Sequence, residues 1–284
     1  MKTFFKSPWH WLAVVAVAQG PLVADPIVVT SFDVFKLQSY EQTSSAQPVS
    51  ASNYYFNARI FLSSPISNPA TAHFTSPADP LGHDLANGGG ILQYPVGFGN
   101  LADLDTAFGA GNYNFSLQAS ELGVTTQTGT LHMPANAYAT TVPYFTNFTS
   151  LQNLNASQDA VFNWNGFSTN SSAAESDIFL FISNTTQNIN VANVFFSGAS
   201  TTSYTLGSSA LVAGDSYSAA LYFSSRNPAP GAWNGGAADG LVAFDQVTVM
   251  SFTAIPEPAA TALVVGGFFG LVFVGRLACR RRSD

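Results

Sequence analysis

The residue types that most often carry catalysis or bind metals are sparse in this sequence. Three histidines follow the first 26 residues, His73, His83 and His132. No two of them have the i,i+2 or i,i+4 spacing that places two metal ligands on one side of a strand or helix. His83 and Asp84 are neighbours, but adjacent side chains rarely face each other productively. No Gly-x-Ser-x-Gly nucleophile elbow occurs.

Carboxylates are more numerous, yet none falls into a recognised pattern. Glycoside hydrolysis needs two opposed carboxyl groups, and nothing in the sequence marks such a pair. Asp103 and Asp105 alternate as ligands of a calcium loop do, but the glycine and downstream glutamate of an EF-hand are missing. Asp239 and Asp245, close to Asn234, are a second group of oxygen ligands that could bind a hard cation between loops, but they also match no known calcium motif. The sequence therefore predicts no enzyme, with no catalytic residue, metal or cofactor assigned.

Two tryptophans are the candidate ligand contacts. The exposed face of an aromatic ring is the usual platform on which a carbohydrate-binding module stacks a sugar, so Trp164 and Trp233 are candidate glycan contacts. Asn163 and Asn165 flank Trp164 and favour this interpretation. The alternative is that each ring lies in the core of a β-sandwich, which is the commoner position for tryptophan.

Charge narrows the choice of partners. Only 9% of the 284 residues are charged, against about 25% in an average soluble protein. Residues 25–257 hold fifteen Asp and Glu but only three Lys and Arg, a formal charge of −12. Without a basic cluster this segment is unsuited to nucleic acid. The single cysteine, Cys279, lies near the C-terminus, so the segment has no disulfide and depends on core burial for its stability.

The N-terminus reads as a secretory signal peptide over residues 1–24. Lys2 and Lys6 provide its positive charge, and the apolar stretch at 9–18 provides its hydrophobic region. Ten residues at about 1.5 Å each cover half of a bilayer core, which favours a cleaved signal over a permanent anchor. Signal peptidase and the secretion machinery are the implied partners.

The C-terminal segment, residues 255–284, has three parts in a fixed order. Pro256, Glu257 and Pro258 come first, and the two prolines hold the backbone extended. An apolar segment follows, which predicts a transmembrane helix over 259–279. The basic cluster Arg280, Arg281 and Arg282 ends the segment and remains cytoplasmic by the positive-inside rule.

This ordered triplet, helix and arginine cluster resembles the PEP-CTERM sorting signal of Gram-negative bacteria. The resemblance covers about 30 of the 284 residues and implies that an exosortase, a membrane peptidase, recognises the tail. It further implies transient anchoring in the inner membrane, then a surface or extracellular location in an exopolysaccharide or biofilm setting. A plain stop-transfer anchor is the alternative, but it gives Pro256, Glu257 and Pro258 no role.

Between the two ends the pattern is that of an all-β protein. Short alternating segments rich in Phe, Tyr, Val, Ile and Thr are separated by Gly, Pro, Asn and Ser. The predicted strands are 27–34, 54–62, 113–119, 124–133, 177–182, 191–196, 203–206, 217–223 and 241–253. A glycine turn precedes a strand-opening tyrosine at both Tyr113 and Tyr217, which suggests a duplication. We therefore predict two antiparallel sandwiches of Ig-like or jelly-roll type, 25–123 and 124–254, with one large sandwich as the alternative.

Three functions follow in order of preference. The first is an exported structural or adhesive protein of the exopolysaccharide or biofilm matrix. The second is a carbohydrate-binding module, and the third is a surface polysaccharide hydrolase.

Overall fold

The computed structural model describes residues 27–66, 71–119, 126–234 and 236–257. Its fold is built from β-strands of 2 to 17 residues, with two brief helices among these residues. In chain order they are β1 Val29–Glu41, β2 Asn53–Leu62, β3 Thr71–Thr75, β4 His83–Asp84, β5 Ala86–Asn87, β6 Ile91–Phe98, α1 Leu101–Ala107, β7 Gly111–Gln118, β8 Gln127–Met133, α2 Phe148–Leu151, β9 Asn153–Asn155, β10 Ala160–Asn163, β11 Glu175–Asn184, β12 Ile189–Ser197, β13 Ser203–Leu206, β14 Ser216–Ala229 and β15 Asp239–Ile255.

A nine-stranded sheet is the largest of the three sheets in the described structure. Its strand order is β12-β11-β14-β15-β1-β2-β6-β5, with β9 paired to the end of β15. The pairs β1–β15 and β15–β9 are parallel, and the other neighbours in the sheet are antiparallel. A four-stranded sheet, β4-β3-β7-β8, and a two-stranded sheet, β10-β13, pack against it.

Two separate hydrophobic cores lie on the inner side of this sheet. The first is enclosed by the four-stranded sheet and includes Phe32, Phe56 and Phe115. The second is enclosed by the two-stranded sheet and includes Phe162 and Phe223. Each smaller sheet covers a different part of the large one, so the arrangement is two sandwiches that share a layer.

Strand β15 runs through both cores, and its inward residues explain the division. Val242 and Phe244 are buried in the first core, whereas Met250 and Phe252 are buried in the second. The inward residues between them, Gln246 and Thr248, are buried but polar. Since side chains alternate along a strand, one period-two segment supplies apolar, polar and then apolar groups to the same side of the sheet.

Thr248 and the neighbouring buried Gln42 are hydrogen-bonded to the segment that connects the two sandwiches. Gln246 instead donates from Nε2 to Gln38 at 3.3 Å, and its Oε1 has no hydrogen-bond partner among the described residues. The Thr248 hydroxyl donates to the Pro143 carbonyl at 2.5 Å. The Gln42 side chain both donates to the Phe145 carbonyl, at 2.9 Å, and accepts from the Phe145 amide, at 2.8 Å. Buried polar groups cost stability unless they are paired, so these bonds hold the connection at one place on the sheet.

An ion pair between a buried lysine and a partly exposed aspartate fixes α1 on the same side. The Lys36 ammonium, only 3% exposed, donates to Asp105 at 2.6 Å. Burial lowers the pKa of Lys36, and Asp105 opposes that shift. Asp103, whose spacing to Asp105 was compared with that of calcium ligands above, lies in the first turn of α1. There its backbone amide donates to the Asn100 side chain that caps the helix.

The predicted all-β class and its sandwich-like sheets are confirmed. Strand β13 matches its prediction, and the other predicted strands overlap observed ones. Strand β8 follows the predicted division at 123/124, yet its Leu131 and Met133 lie in the first core, and β15 belongs to both. The signal peptide 1–24 and the helix 259–279 lie outside the described residues. Within the described ranges, no helix is long and apolar enough to cross a membrane.

Candidate binding face

The outer side of the nine-stranded sheet, opposite the two cores, carries the most distinctive group of side chains among the described residues. On β1, Phe32 and Val34 point inward and are fully buried, whereas Phe35 and Leu37 point outward and remain partly exposed. The same alternation holds on β2, β11, β14 and β15. We call the outward side chains of these five strands the outer face.

Aromatic rings dominate the outer face. Phe35 on β1 lies 6.0 Å from Tyr55 on β2, and Tyr222 on β14 lies 5.5 Å from Phe181 on β11, measured between ring centroids. Phe179 continues the row towards the edge of the sheet. These rings are only partly buried. They therefore present apolar surface to solvent on a rigid support, where an antiparallel sheet more commonly has polar residues.

Two arginine–aspartate pairs lie among the rings. Arg59 faces Asp33 across β1 and β2, and its Nε and Nη2 donate to the two carboxylate oxygens at 2.8 and 2.6 Å. The guanidinium carbon also lies 4.5 Å from the Phe35 ring centroid. Arg226 donates from Nη1 to Asp177 at 2.6 Å. Both carboxylates are buried, so these pairs orient the guanidinium groups more than they stabilise the fold.

Asp245 lies between the two pairs on β15. It has no ion pair within the described part of the chain. Burial raises the pKa of Asp245 to about 6, opposed by the Ser224 hydroxyl and the Arg226 charge. Burial likewise raises the pKa of Asp33, opposed by its partner Arg59. A carboxyl group that is desolvated and lacks its own cation is a typical feature of a binding site.

These groups surround an open pocket of about 320 Å³ on the outer face. Its lining combines rings, two guanidinium groups and carboxylates, contributed by Phe35, Tyr55, Arg59, Phe179, Tyr222, Arg226, Asp33 and Asp245 among others. Such a surface can stack on the apolar face of a ligand and exchange hydrogen bonds with its hydroxyl groups. Within the described residues, no group of three or more His, Cys, Asp or Glu side chains converges on a metal position.

Neither tryptophan proposed as a glycan contact is accessible, so that assignment is corrected. Trp164 is 3% exposed, packs in the second core and donates from Nε1 to the Thr201 carbonyl at 2.8 Å. Trp233 is 2% exposed, packs in the first core and donates to Gln127 at 2.9 Å. A buried ring has no free face for a sugar, and the alternative interpretation of these residues as core applies.

The sorting motif lies at the boundary of the described structure. Pro256 and Glu257 follow β15 directly and are exposed. Pro258, Arg280, Arg281 and Arg282 lie outside the described residues.

The histidines do not meet at one centre. His73 lies 3.1 Å from Asp84 and His83 lies 3.5 Å from Asp79, both around the turn that joins β3 to β4. His132 is hydrogen-bonded to Asn112 at 2.9 Å on the separate pair β7–β8. The side chains of the outer face were missed by sequence reasoning. One signal was available in the sequence, because Arg59, one of only three cations in the segment, alternates with aromatic residues in the predicted strand 54–62. Arg226 lies beyond the end of the predicted strand 217–223.

Comparison with known proteins leaves the family open. No protein-family model matches the chain, and no curated protein matches it. Among solved structures, it is similar to the FN1–FN3 domains of chicken CNTN1, at 8% identity and a TM-score of 0.26 over 71% of this chain and 62% of the other. It is also similar to trypsin-activated alpha-2-macroglobulin from Escherichia coli (9% identity, TM-score 0.27, 80% and 16% covered) and to the BSP domain of a biofilm-associated protein (12%, 0.21, 82% and 30%).

The chain spans less than two thirds of each of these structures. Similarity at these TM-scores does not indicate which ligands or partners the chain binds. The fold and the outer face by themselves define the class: an all-β protein of two sandwiches on one shared sheet, with an open, largely aromatic outer face.

Proposed function

We propose that this protein is an exported, non-enzymatic component of the extracellular matrix that binds exopolysaccharide through its outer face. One observation carries the proposal, namely the open aromatic surface around the Arg59–Asp33 and Arg226–Asp177 pairs. Structural or adhesive work requires a rigid surface with affinity for a polymer, and the middle strands of a large sheet provide that rigidity.

The dimensions of the outer face suit an extended polymer. Neighbouring strands are about 4.8 Å apart, so the four intervals from β11 to β2 span about 19 Å. That width accommodates several sugar units in a row. Rings stack on the C–H faces of sugars, while paired guanidinium and carboxylate groups exchange hydrogen bonds with hydroxyl groups.

The ligand expected from the charge balance is neutral or weakly cationic. Arg59 and Arg226 are each neutralised by an aspartate, and Asp245 adds a carboxyl group that has no ion pair among the described residues. Residues 25–257 as a whole are acidic as well. Strongly anionic polymers are therefore repelled more than they are attracted.

Binding is tested with the purified chain and a neutral polysaccharide such as a β-glucan, by isothermal titration or affinity electrophoresis. Replacing both Phe179 and Tyr222 by alanine removes two rings of the outer face, and we expect at least about tenfold weaker binding. Tyr144→Ala is the control, because Tyr144 is also partly exposed but is not part of the pocket lining. Equal binding by all three proteins contradicts a role for the outer face.

Export and sorting form the second part of the proposal. The signal peptide 1–24 directs secretion, and the tail 255–284 holds the protein in the inner membrane with its C-terminus in the cytoplasm. An exosortase-type peptidase then cuts near Pro256, Glu257 and Pro258, so that the protein reaches the cell surface or the medium. The exposure of Pro256 and Glu257 at the end of β15 supports this, since a peptidase needs an accessible extended substrate.

Sorting is tested by producing the chain with and without exosortase and measuring the mass of its C-terminus. A product that ends near Pro258 only in the presence of the enzyme is expected. A chain that ends at Asp284 in both hosts removes the sorting proposal. Hydrolysis of a polysaccharide that is lost on replacing a single carboxylate would contradict the non-enzymatic assignment.

A further inference from the structure

The two edges of the nine-stranded sheet are built differently. At one edge, β5 has only two residues, Ala86–Asn87. At the other, β12 has nine, Ile189–Ser197. A short edge strand offers few free backbone groups, which is a common protection against pairing with another chain, whereas a long edge strand offers a full row of them.

The free side of β12 is open to solvent. Strand β12 pairs with β11, and no hydrogen bond from another described residue reaches the backbone of Ile189–Ser197. Large apolar groups are exposed along it, with Ile189 at 52% and Phe195 at 51%. No part of the chain that the structure describes therefore protects this edge, either in its backbone groups or in its side chains.

The sequence of β12 lacks the usual protective residues. It reads Ile-Asn-Val-Ala-Asn-Val-Phe-Phe-Ser and contains no charge and no proline. The bulge in its pairing with β11 lies near the start of the strand, between Ile182 and Ser183 on the β11 side, so Ala192–Ser197 remains regular. On the neighbouring strand β11, Asp177 lies opposite Ser197, but its carboxylate is already paired with Arg226.

We infer that the β12 edge pairs with the β12 edge of a second copy of this chain, in antiparallel orientation. Charge selects this occupant: two copies of an acidic protein repel each other over most of their surface, but not along a strand that has no charge. An antiparallel pair of identical strands is self-complementary about a two-fold axis, and it closes after two copies. This inference does not depend on polysaccharide binding.

The pairing has a geometric consequence for the outer face. A two-fold axis perpendicular to the sheet keeps both outer faces on the same side, so the two sheets become one of eighteen strands. Phe195, which lies 5.1 Å from Phe179, then joins the two aromatic rows across the junction. The two Ile255 residues come to opposite ends of the dimer, because the strands of the two copies run in opposite directions.

The test uses the full chain in detergent micelles, with sedimentation equilibrium and hydrogen exchange over a concentration series. We expect a dimer and slower amide exchange in Ala192–Ser197 as the concentration rises. Asn193→Lys places a charge on the exposed edge and is expected to weaken the dimer at least about tenfold. Ser251→Lys is the matched control, because Ser251 is an exposed residue of β15, which β11 and β14 separate from β12 in the same sheet. Asn193→Asp serves as a second edge variant if the lysine variant does not fold.

Three outcomes overturn the inference. The chain stays monomeric at all concentrations, or it associates without protection of Ala192–Ser197, or Asn193→Lys and Ser251→Lys weaken association equally. The second outcome assigns the contact to another surface such as the tail, and the third shows that the effect of a lysine is not specific to the β12 edge. None of these outcomes bears on whether the outer face binds a polymer.

Discussion

At the scale of single residues, the outer face depends on charges held in partly desolvated surroundings. Asp33 and Asp177 each have an arginine, whereas Asp245 has none among the described residues. Burial disfavours a charged carboxylate, and without a cation of its own Asp245 keeps most of that penalty. A carboxyl group that keeps such a penalty marks this part of the outer face as a candidate site for a ligand.

Asp245 gives the stability of the protein a defined pH dependence. Its pKa is about 6 in the folded chain against 3.8 for an ordinary aspartate. Between these values the folded state holds a proton that the unfolded state has released, so stability falls as the pH rises through this window and is level above it. The unfolding free energy lost across this pH range is at most about 3 kcal/mol.

Asp245→Asn is therefore expected to reduce the fall in unfolding free energy between about pH 4 and pH 6, measured by urea denaturation. Part of the fall remains, because burial also raises the pKa of Asp33. Asp84→Asn is the control, since the side chain of Asp84 is 88% exposed. An unchanged slope in Asp245→Asn contradicts the assignment.

At the scale of elements, the first core depends on two glycines that let strands approach large rings. A Cβ atom on Gly129 of β8 would lie 2.4 Å from the Trp233 ring and 2.7 Å from the Phe32 ring. A Cβ atom on Gly240 of β15 would lie 2.3 Å from Leu131. Phe32 and Trp233 themselves pack edge to face, with centroids 5.0 Å apart. The absence of a side chain at these positions is thus what allows the two layers to close.

Gly129→Ala is expected to destabilise the protein by about 1–3 kcal/mol, because the rings of Phe32 and Trp233 must move in a packed core. Thermal or urea unfolding measures the effect. Gly207→Ala is the matched control, since a Cβ atom there meets nothing within 4 Å. A smaller loss in Gly129→Ala than in Gly207→Ala would show that the first core is not closed around these rings.

At the scale of the whole molecule, the shared sheet couples the two sandwiches. Strand β15 contributes Phe244 to the first core and Phe252 to the second. Separating the cores would break the sheet along a continuous strand, and it would expose the buried Gln42 and Thr248 side chains that bind the connecting segment. We therefore expect the two sandwiches to unfold as one unit.

Each core contains one tryptophan, which allows a direct measurement. Trp233→Phe leaves Trp164 to report on the second core, and Trp164→Phe leaves Trp233 to report on the first. After removal of the signal peptide no other tryptophan remains in the chain. In each variant the fluorescence transition should have the same urea midpoint as the loss of β-structure in circular dichroism. A fluorescence midpoint that departs from the circular dichroism midpoint would show that the cores are independent.

The sequence by itself determined the β class and the positions of the longest strands, because alternation of apolar and polar residues is a local signal. It did not reveal β6, Ile91–Phe98, whose Pro95 and Gly97 interrupt the pattern, or the short helix α1. The sorting motif is likewise a local pattern, and its predicted role remains a prediction.

Only the tertiary structure decided which side of each strand belongs to the outer face and that both tryptophans are buried. The outer face brings together Asp33, Arg59, Asp177, Arg226 and Asp245, which are up to 212 residues apart in sequence. Their proximity depends on strand order and register, above all on the parallel pairing of β1 with β15. Sequence periodicity specifies that a strand has two faces, but the packing of the other layers selects the face that is buried.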